Sequence, residues 1–263
     1  MEYDIVECIS CWYDLLGFGT PFIEAEWNLH NEVCSKNYER IKNVEHKLIG
    51  GLSINVHKLF INDGVACNID TQNEPIHRVA DKLELLITDY NAINYVEKKE
   101  GYPGARGVLT CGYRFAYEST DVLDNCYEIK YFHPRYFQMN TAYSKAYIME
   151  SNSSKFTVNG AKEKITNAYL YIDYELYLYF LKNINKDQGD KITIKYESDK
   201  IIVDVYFFSK HYATLVFENK RFEFAYAGIK TKLYKLLKMK SEAELDAIDN
   251  AYKHAQMYSK MDE

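Results

Sequence analysis

SINVHKLFINDGVACNI, residues 53–69, is the stretch whose reading decides the fold. Residues 53–61 read as a strand, Asn62-Asp63-Gly64 as a tight turn, and residues 65–69 as the strand that returns. Asp-Gly between two apolar runs is a strong hairpin signal, because Asn, Asp and Gly tolerate the backbone such turns require. Outward on either side the pattern turns helical. Residues 24–48 set charged side chains between apolar ones and stop at Gly50-Gly51, while residues 75–99 carry Val79, Leu83, Leu86 and Ile87 at helical spacing, with Pro75 near the first turn. Beyond the helices lie YDIVECISCWY (3–13) and RGVLTCGYRF (106–115), both rich in β-branched and aromatic residues and both read as strands. The order β-α-β-β-α-β is the split βαβ of ferredoxin-like domains, which predicts an α+β core over residues 1–160. That order by itself names no function.

The remainder is predicted to form an α+β extension, residues 161–263, packed on the core. QMNTAYSKAYIME (138–150) reads as a third helix, and residues 161–181 continue the helical layer. After Gly189-Asp190, the runs KITIKYE, KIIVDVYFF, YATLVFE and RFEFAYA predict a small antiparallel sheet. A polar helix over residues 241–260 closes the chain, with Ser241 as its cap and Glu244 completing a capping box.

Composition narrows the function classes. With 47% hydrophobic and 27% charged residues, the chain is neither disordered nor fibrous. Residues 5–23 are the longest mostly apolar stretch, but Glu7 and Asp14 interrupt it, and the acidic MEYDIVE lacks the basic start of a signal peptide. The expectation is a cytoplasmic protein with no membrane partner. A net charge of −6 without a basic stripe predicts no nucleic-acid partner. The 6 Cys are scattered and read as reduced, buried thiols; Cys8 and Cys11 form a C-x-x-C, but three positions apart in a strand they face opposite ways. The 25 Tyr against 2 Trp fit half-buried strand faces, with a few left to stack on a ligand.

Two aspartates stand where chemistry is expected. Asp14 ends the first strand before the glycine-bearing turn DLLGFGTPF, and Asp63 sits at the hairpin tip. In a βαββαβ sheet that tip approaches the end of the first strand, so the two carboxylates make a hard oxygen site suited to Mg²⁺ or Mn²⁺. The amides of Gly17, Phe18 and Gly19 would then face a phosphate. Either aspartate also has a bland reading, Asp14 as a helix cap and Asp63 as turn chemistry.

CISCWYDLLGFG (8–19), LFINDGVA (59–66), RGVLTCG (106–112) and FQMNTAYSKAYIMES (137–151) together resemble the class III nucleotide cyclases. That family shows a strand ending in D-[I/L]-x-G-F, a G-D hairpin, an R-x-G-[I/V]-x-x-G strand and a V-N-x-A-x-R helix, in this order. The chain is most similar to the bacterial Pycsar-type pyrimidine cyclases. The resemblance implies that Asp14 and Asp63 bind two divalent metal ions, Mn or Mg, with the Leu15 carbonyl as a further ligand. It implies that Asn140 orients the ribose or the reacting phosphate from the opposite subunit of a homodimer whose active sites lie at the interface. The implied reaction converts a nucleoside triphosphate, UTP before CTP, to the 3′,5′-cyclic monophosphate and pyrophosphate, as an antiphage signal read by a separate effector protein.

The departures are specific. Asn62 replaces the family's glycine, and Ser144 stands where its transition-state arginine is expected, leaving Lys145, Arg114 and Arg135 as candidate cations. Lys145 supplies a point charge, not a bidentate fork. The base-selecting positions fall near His57 and His133, neither matching the residues of purine cyclases, which favours a pyrimidine. Both histidines also have a packing reading. A catalytically inactive, cyclase-like homodimer that binds a nucleotide or a protein is the alternative expectation.

Overall fold

The structure, a computed structural model, describes residues 4–49, 56–116, 134–165 and 167–241. Its first half runs β1 (Ile5–Leu15), α1 (Thr20–Glu24), α2 (Glu32–Ile49), β2 (His57–Ile61), β3 (Gly64–Asp70), α3 (Ile76–Lys99) and β4 (Ala105–Phe115). The second half runs α4 (Thr141–Ser151), β5 (Phe156–Val158), β6 (Ala161–Lys162), β7 (Leu170–Asp173), α5 (Tyr174–Asn183), β8 (Lys191–Tyr196), β9 (Lys200–Phe207), β10 (Lys210–Tyr226) and β11 (Ile229–Ser241). The class is α+β.

In the first half the strands lie in the order β2-β3-β1-β4, all antiparallel, which is the ferredoxin-like arrangement expected from the element order. β1 is therefore central and buried on both faces. Alternation sends Ile9, Cys11, Tyr13 and Leu15 into a core shared with Val65, Cys67 and Ile69 of β3 and with Leu83, Leu86 and Ile93 of α3. Trp12 goes to the other face with Val108, Ala146 and Met149. Cys8 lies beside Asn140 while Cys11 lies in the helix-side core, so the C-x-x-C faces two ways as its spacing requires.

Two helical expectations change. The helix read over 24–48 is broken between α1 and α2, because the Asn28 and Asn31 side chains accept from the amides of His30 and Val33 and turn the backbone between the two helices. The helical layer read over 161–181 is instead a hairpin, a strand and a helix. Asn159 and Gly160, at φ 51° and 80°, form the tight turn of β5–β6, β7 pairs parallel with β4, and only then does Asp173 cap α5 by accepting from Glu175 N–H at 3.1 Å. Ser241 ends β11 in register with Ala213; the helix expected over 241–260 and its capping box lie outside the described residues.

The C-terminal strands do not form a sheet of their own. β7 joins β4 to β11, and β10 then pairs with β9 along its first half and β5 along its second, so the described strands make one 11-stranded sheet. Among the described residues no helix is long and apolar enough to cross a membrane.

Candidate active site

Alternation places Asp14 on the same face of β1 as Trp12, the face covered by α4. There the strand is flanked by Gly64 of β3 and Arg106 of β4. One residue on, the Leu15 N–H donates to the Asp63 carbonyl at 2.9 Å, which ties the hairpin tip to the end of β1. Asn62 turns the tip at φ 50°, a conformation asparagine accepts. Gly64 then passes so close to the Trp12 ring that a side chain has no room. The fold thus brings Asp14 and Asp63 together, and the half-buried Asp63 charge is felt at Asp14.

Two residues that sequence reasoning had not assigned complete the corner. Glu150, near the end of α4, is buried, and Arg106 donates to it through Nε at 2.7 Å and through Nη2. Arg106 Nη1 donates to the Ile165 carbonyl at 2.9 Å, and its Nη2 lies 4.0 Å from the Asp14 carboxylate. The Asp14 carboxyl is pushed up to about 7, first by burial, then by the negative charges of Glu150 and Asp63, with Arg106 opposing. Burial likewise raises Glu150 against the pull of Arg106. Arg106 opens the quoted RGVLTCG stretch, but only the β1–β4 register sets it directly across from Asp14.

The turn after Asp14 is clamped by α2. Arg40, held by a buried ion pair with Glu97, donates through Nη2 to the Leu16 carbonyl at 2.9 Å, and Asn37 donates to the Phe18 carbonyl at 2.7 Å. Gly17 takes φ +72°, which a side-chain-bearing residue adopts only with strain. The Phe18 N–H donates to the Leu15 carbonyl at 3.3 Å, leaving that oxygen's second lone pair. Gly17, Phe18 and Gly19 precede a helix of only 5 residues, so any anion there meets turn amides rather than a developed helix dipole.

Asn140 sits elsewhere. It caps α4 by accepting from Tyr143 N–H at 2.8 Å, and its Nδ2 donates to Asn68 Oδ1, the Tyr136 carbonyl and Ser10 Oγ. It is 1% exposed, and its Ser10 partner stands four residues before Asp14, roughly 13 Å along the strand. Within one chain, then, Asn140 and Asp14 do not share a site. Lys145 turns to α5, where Nζ meets Glu175 Oε2 at 2.5 Å. Arg114 forks onto Asp70 at 2.8 and 2.6 Å, and its guanidinium lies over the Tyr136 ring, as does that of Arg135. His57 stacks on Tyr136, and burial lowers its pKa, with Arg114, Arg135 and Lys82 adding to the effect and Asp70 opposing it. His133 lies outside the described residues.

The corner has the chemistry of a hard-cation site: two carboxylates, a backbone carbonyl, and more negative charge than Arg106 offsets. Among the described residues no group of three or more His, Cys, Asp or Glu side chains is arranged to hold a metal ion. A divalent ion at Asp14 and Asp63 would take its remaining ligands from water and substrate phosphates, as Mg²⁺ commonly does.

No family model matches the chain, and no curated protein matches it by sequence. Among solved structures it is similar to the guanylyl cyclase Cya2, at 13% identity and a TM-score of 0.47, over 92% of this chain and 97% of that one. It is similar to the guanylate cyclase domain of RhGC from Catenaria anguillulae in complex with GTP, at 11% identity and a TM-score of 0.45, over 90% and 100% of the two chains. A bacterial light-regulated adenylyl cyclase matches at 11% identity and a TM-score of 0.45, over 90% of this chain and 53% of that one.

Proposed function

We propose that the chain is a nucleotide cyclase that converts a pyrimidine nucleoside triphosphate, UTP before CTP, to its 3′,5′-cyclic monophosphate and pyrophosphate. The observation that carries the reading is the convergence of Asp14 and Asp63, fixed by the Leu15-to-Asp63 backbone bond, immediately before the Gly17 turn. In the reaction the ribose 3′-oxygen forms a bond to the α-phosphorus as the bond to pyrophosphate breaks, and the 3′-hydroxyl gives up its proton to water.

Asp14, Asp63 and the Leu15 carbonyl would hold two divalent metal ions. When bound, Mg²⁺ or Mn²⁺ supplies charge neutralisation at the phosphates and lowers the pKa of an oxygen bound to it. Arg106 holds Glu150 to one side and keeps the Asp14 carboxylate from being fully uncompensated before substrate arrives. The turn amides of Gly17 and Gly19 orient the phosphate chain, joined by the Phe18 amide once it leaves the Leu15 carbonyl. Most of the rate enhancement in such a site comes from positioning and electrostatics. Because Asn140 lies well away from Asp14 in its own chain, its role, like that of Lys145, is met by a second copy in a homodimer. His57 lines the base and departs from purine-selecting chemistry, and the resemblance makes position 133 the second base-selecting position. The product serves as an antiphage second messenger for a separate effector.

A second reading has its own support. Ser144 replaces the expected arginine, Lys145 is occupied by Glu175, and Asn140 spends its polar atoms on capping and on Ser10 and Asn68. Those contacts suit a cyclase-like homodimer that binds a nucleotide without turning it over. Asp63→Ala separates the two: the cyclase loses metal-dependent pyrophosphate release in this variant, and retained release refutes the metal role. A binding module gives saturable nucleotide binding and no pyrophosphate in either protein.

A further inference from the structure

Between α5 and the strands β8 to β11 lies a cavity of about 110 Å³, closed on one side by Ala80 and Leu83 of α3. Leu176 and Phe180 of α5 face Ile192, Val203 and Leu215 of the sheet across it. Among the described residues no Lys, Arg, His or Glu lines it. Its acid, Asp173, is fully buried and already bonded to Thr231, to Thr110 at 2.9 Å and to the Glu175 N–H at 3.1 Å. One water needs only roughly 10–15 Å³, but it also needs polar partners; apolar cavities on the order of 150 Å³ stay dry and accept a benzene ring. Tyr196, 72% exposed, stands at the rim and offers the entrance an aromatic edge.

We propose that this cavity binds an uncharged, apolar molecule of about one aromatic ring, and that its occupancy is transmitted through α5 to Lys145. Charged ligands are disfavoured because the walls offer them no free counterion, and burying a charge without one is costly. The transmission follows from adjacency along one short helix. Leu176 and Phe180 form the cavity wall, while Glu175, the residue before Leu176, holds Lys145 of α4 at 2.5 Å. Asp173, the cap of the same helix, also accepts from Thr110 of β4. A ring seated against Leu176 and Phe180 therefore presses on the element that keeps Lys145 paired. The consequence for catalysis rests on the cyclase reading; the binding and its effect on Lys145 do not.

The test uses the full chain with toluene as the probe and benzoate and benzylamine as charged isosteres. Saturation-transfer NMR reads binding, and reductive ¹³C-methylation of lysines gives a Lys145 signal, identified by its loss in Lys145→Arg. Toluene is expected to saturate, with each isostere at least about tenfold weaker. Ala213→Leu, which extends a buried wall residue into the cavity, should weaken toluene by about tenfold or more. If circular dichroism shows that variant unfolded, Ile192→Phe at the half-buried edge provides the same test. The Lys145 signal should move with the midpoint of the toluene titration. Absence of saturable toluene binding to the folded chain, or binding unchanged in the folded filled-cavity variant, overturns the site. Saturable binding with an unmoved Lys145 signal overturns the transmission.

Discussion

Replacing Arg106 with methionine isolates the electrostatics of the aspartate corner. The guanidinium donates to Glu150 at 2.7 Å and through a second nitrogen, donates to the Ile165 carbonyl at 2.9 Å, and lies 4.0 Å from Asp14. The two side chains of the ion pair are 10% and 4% exposed, so solvent does little to screen them. Removing the cation leaves Glu150 buried without a counter-charge, a loss of about 3–5 kcal/mol when a buried pair is broken from one side. For a chain of this size each kcal/mol lowers Tm by roughly 2–4 °C, so Arg106→Met should melt about 6–20 °C below the parent. Replacing both partners by methionine removes the uncompensated charge and should recover at least about 2 kcal/mol of that loss. Urea denaturation followed by circular dichroism on the two single variants and the double closes the cycle. A cost under about 1 kcal/mol for Arg106→Met, or a double variant less stable than the single, would refute the claim that a buried Arg106–Glu150 pair builds this corner.

Asn140→Ala removes the α4 cap, at about 1 kcal/mol, and leaves buried Ser10 and Asn68 short of a partner, at roughly 1–3 kcal/mol more. Asn140→Ser should return part of this through the cap, and chemical denaturation of both variants checks the difference. Asp70 is raised by burial but lowered more by its bonds from Arg114 and Asn68, so its folded pKa lies below the unfolded one. Its stabilisation is therefore complete above the unfolded pKa, near 3.9, and is lost as pH falls through the folded value. Acid unfolding should be steeper in the parent than in Asp70→Asn, and equal slopes would contradict the pairing. Gly64→Ala drives a methyl into the Trp12 ring beside Asp63 and should cost about 1–3 kcal/mol. Calorimetric titration should also show weaker Mn²⁺ binding in that variant, and unchanged affinity would separate the hairpin packing from the metal site.

The first half of the fold was legible because its signals were local. Asn62-Asp63-Gly64 specified the hairpin and the Val79–Ile87 spacing specified α3, whose observed range, Ile76–Lys99, differs from the reading by a residue. The hairpin and the strand order then placed Asp63 against β1. Long-range contacts decided the rest. LYID at 170–173 looked helical beside the tyrosine-rich run that follows, but it completes the sheet between β4 and β11, and pairing on both sides outweighs local propensity. Asn159-Gly160 carries the same hairpin signal as the first turn, but inside a polar stretch without long apolar runs on both sides. Glu150 was hidden for a different reason. A glutamate near a helix end reads as solvated until the β4 register puts Arg106 beneath it. Asn140 was legible as a polar position at the start of a helix, but only the folded chain shows that Ser10 and Asn68 claim its amide.

The central claim is that the Asp14–Asp63 corner serves the cyclisation of a pyrimidine nucleotide. The purified chain incubated with Mn²⁺ and each of ATP, GTP, CTP and UTP in turn, with products identified by mass, tests it most directly. The account predicts a 3′,5′-cyclic monophosphate and pyrophosphate from a pyrimidine triphosphate, foremost UTP. No cyclic product from any of the four, with Mn²⁺ bound and the dimer intact, would contradict it.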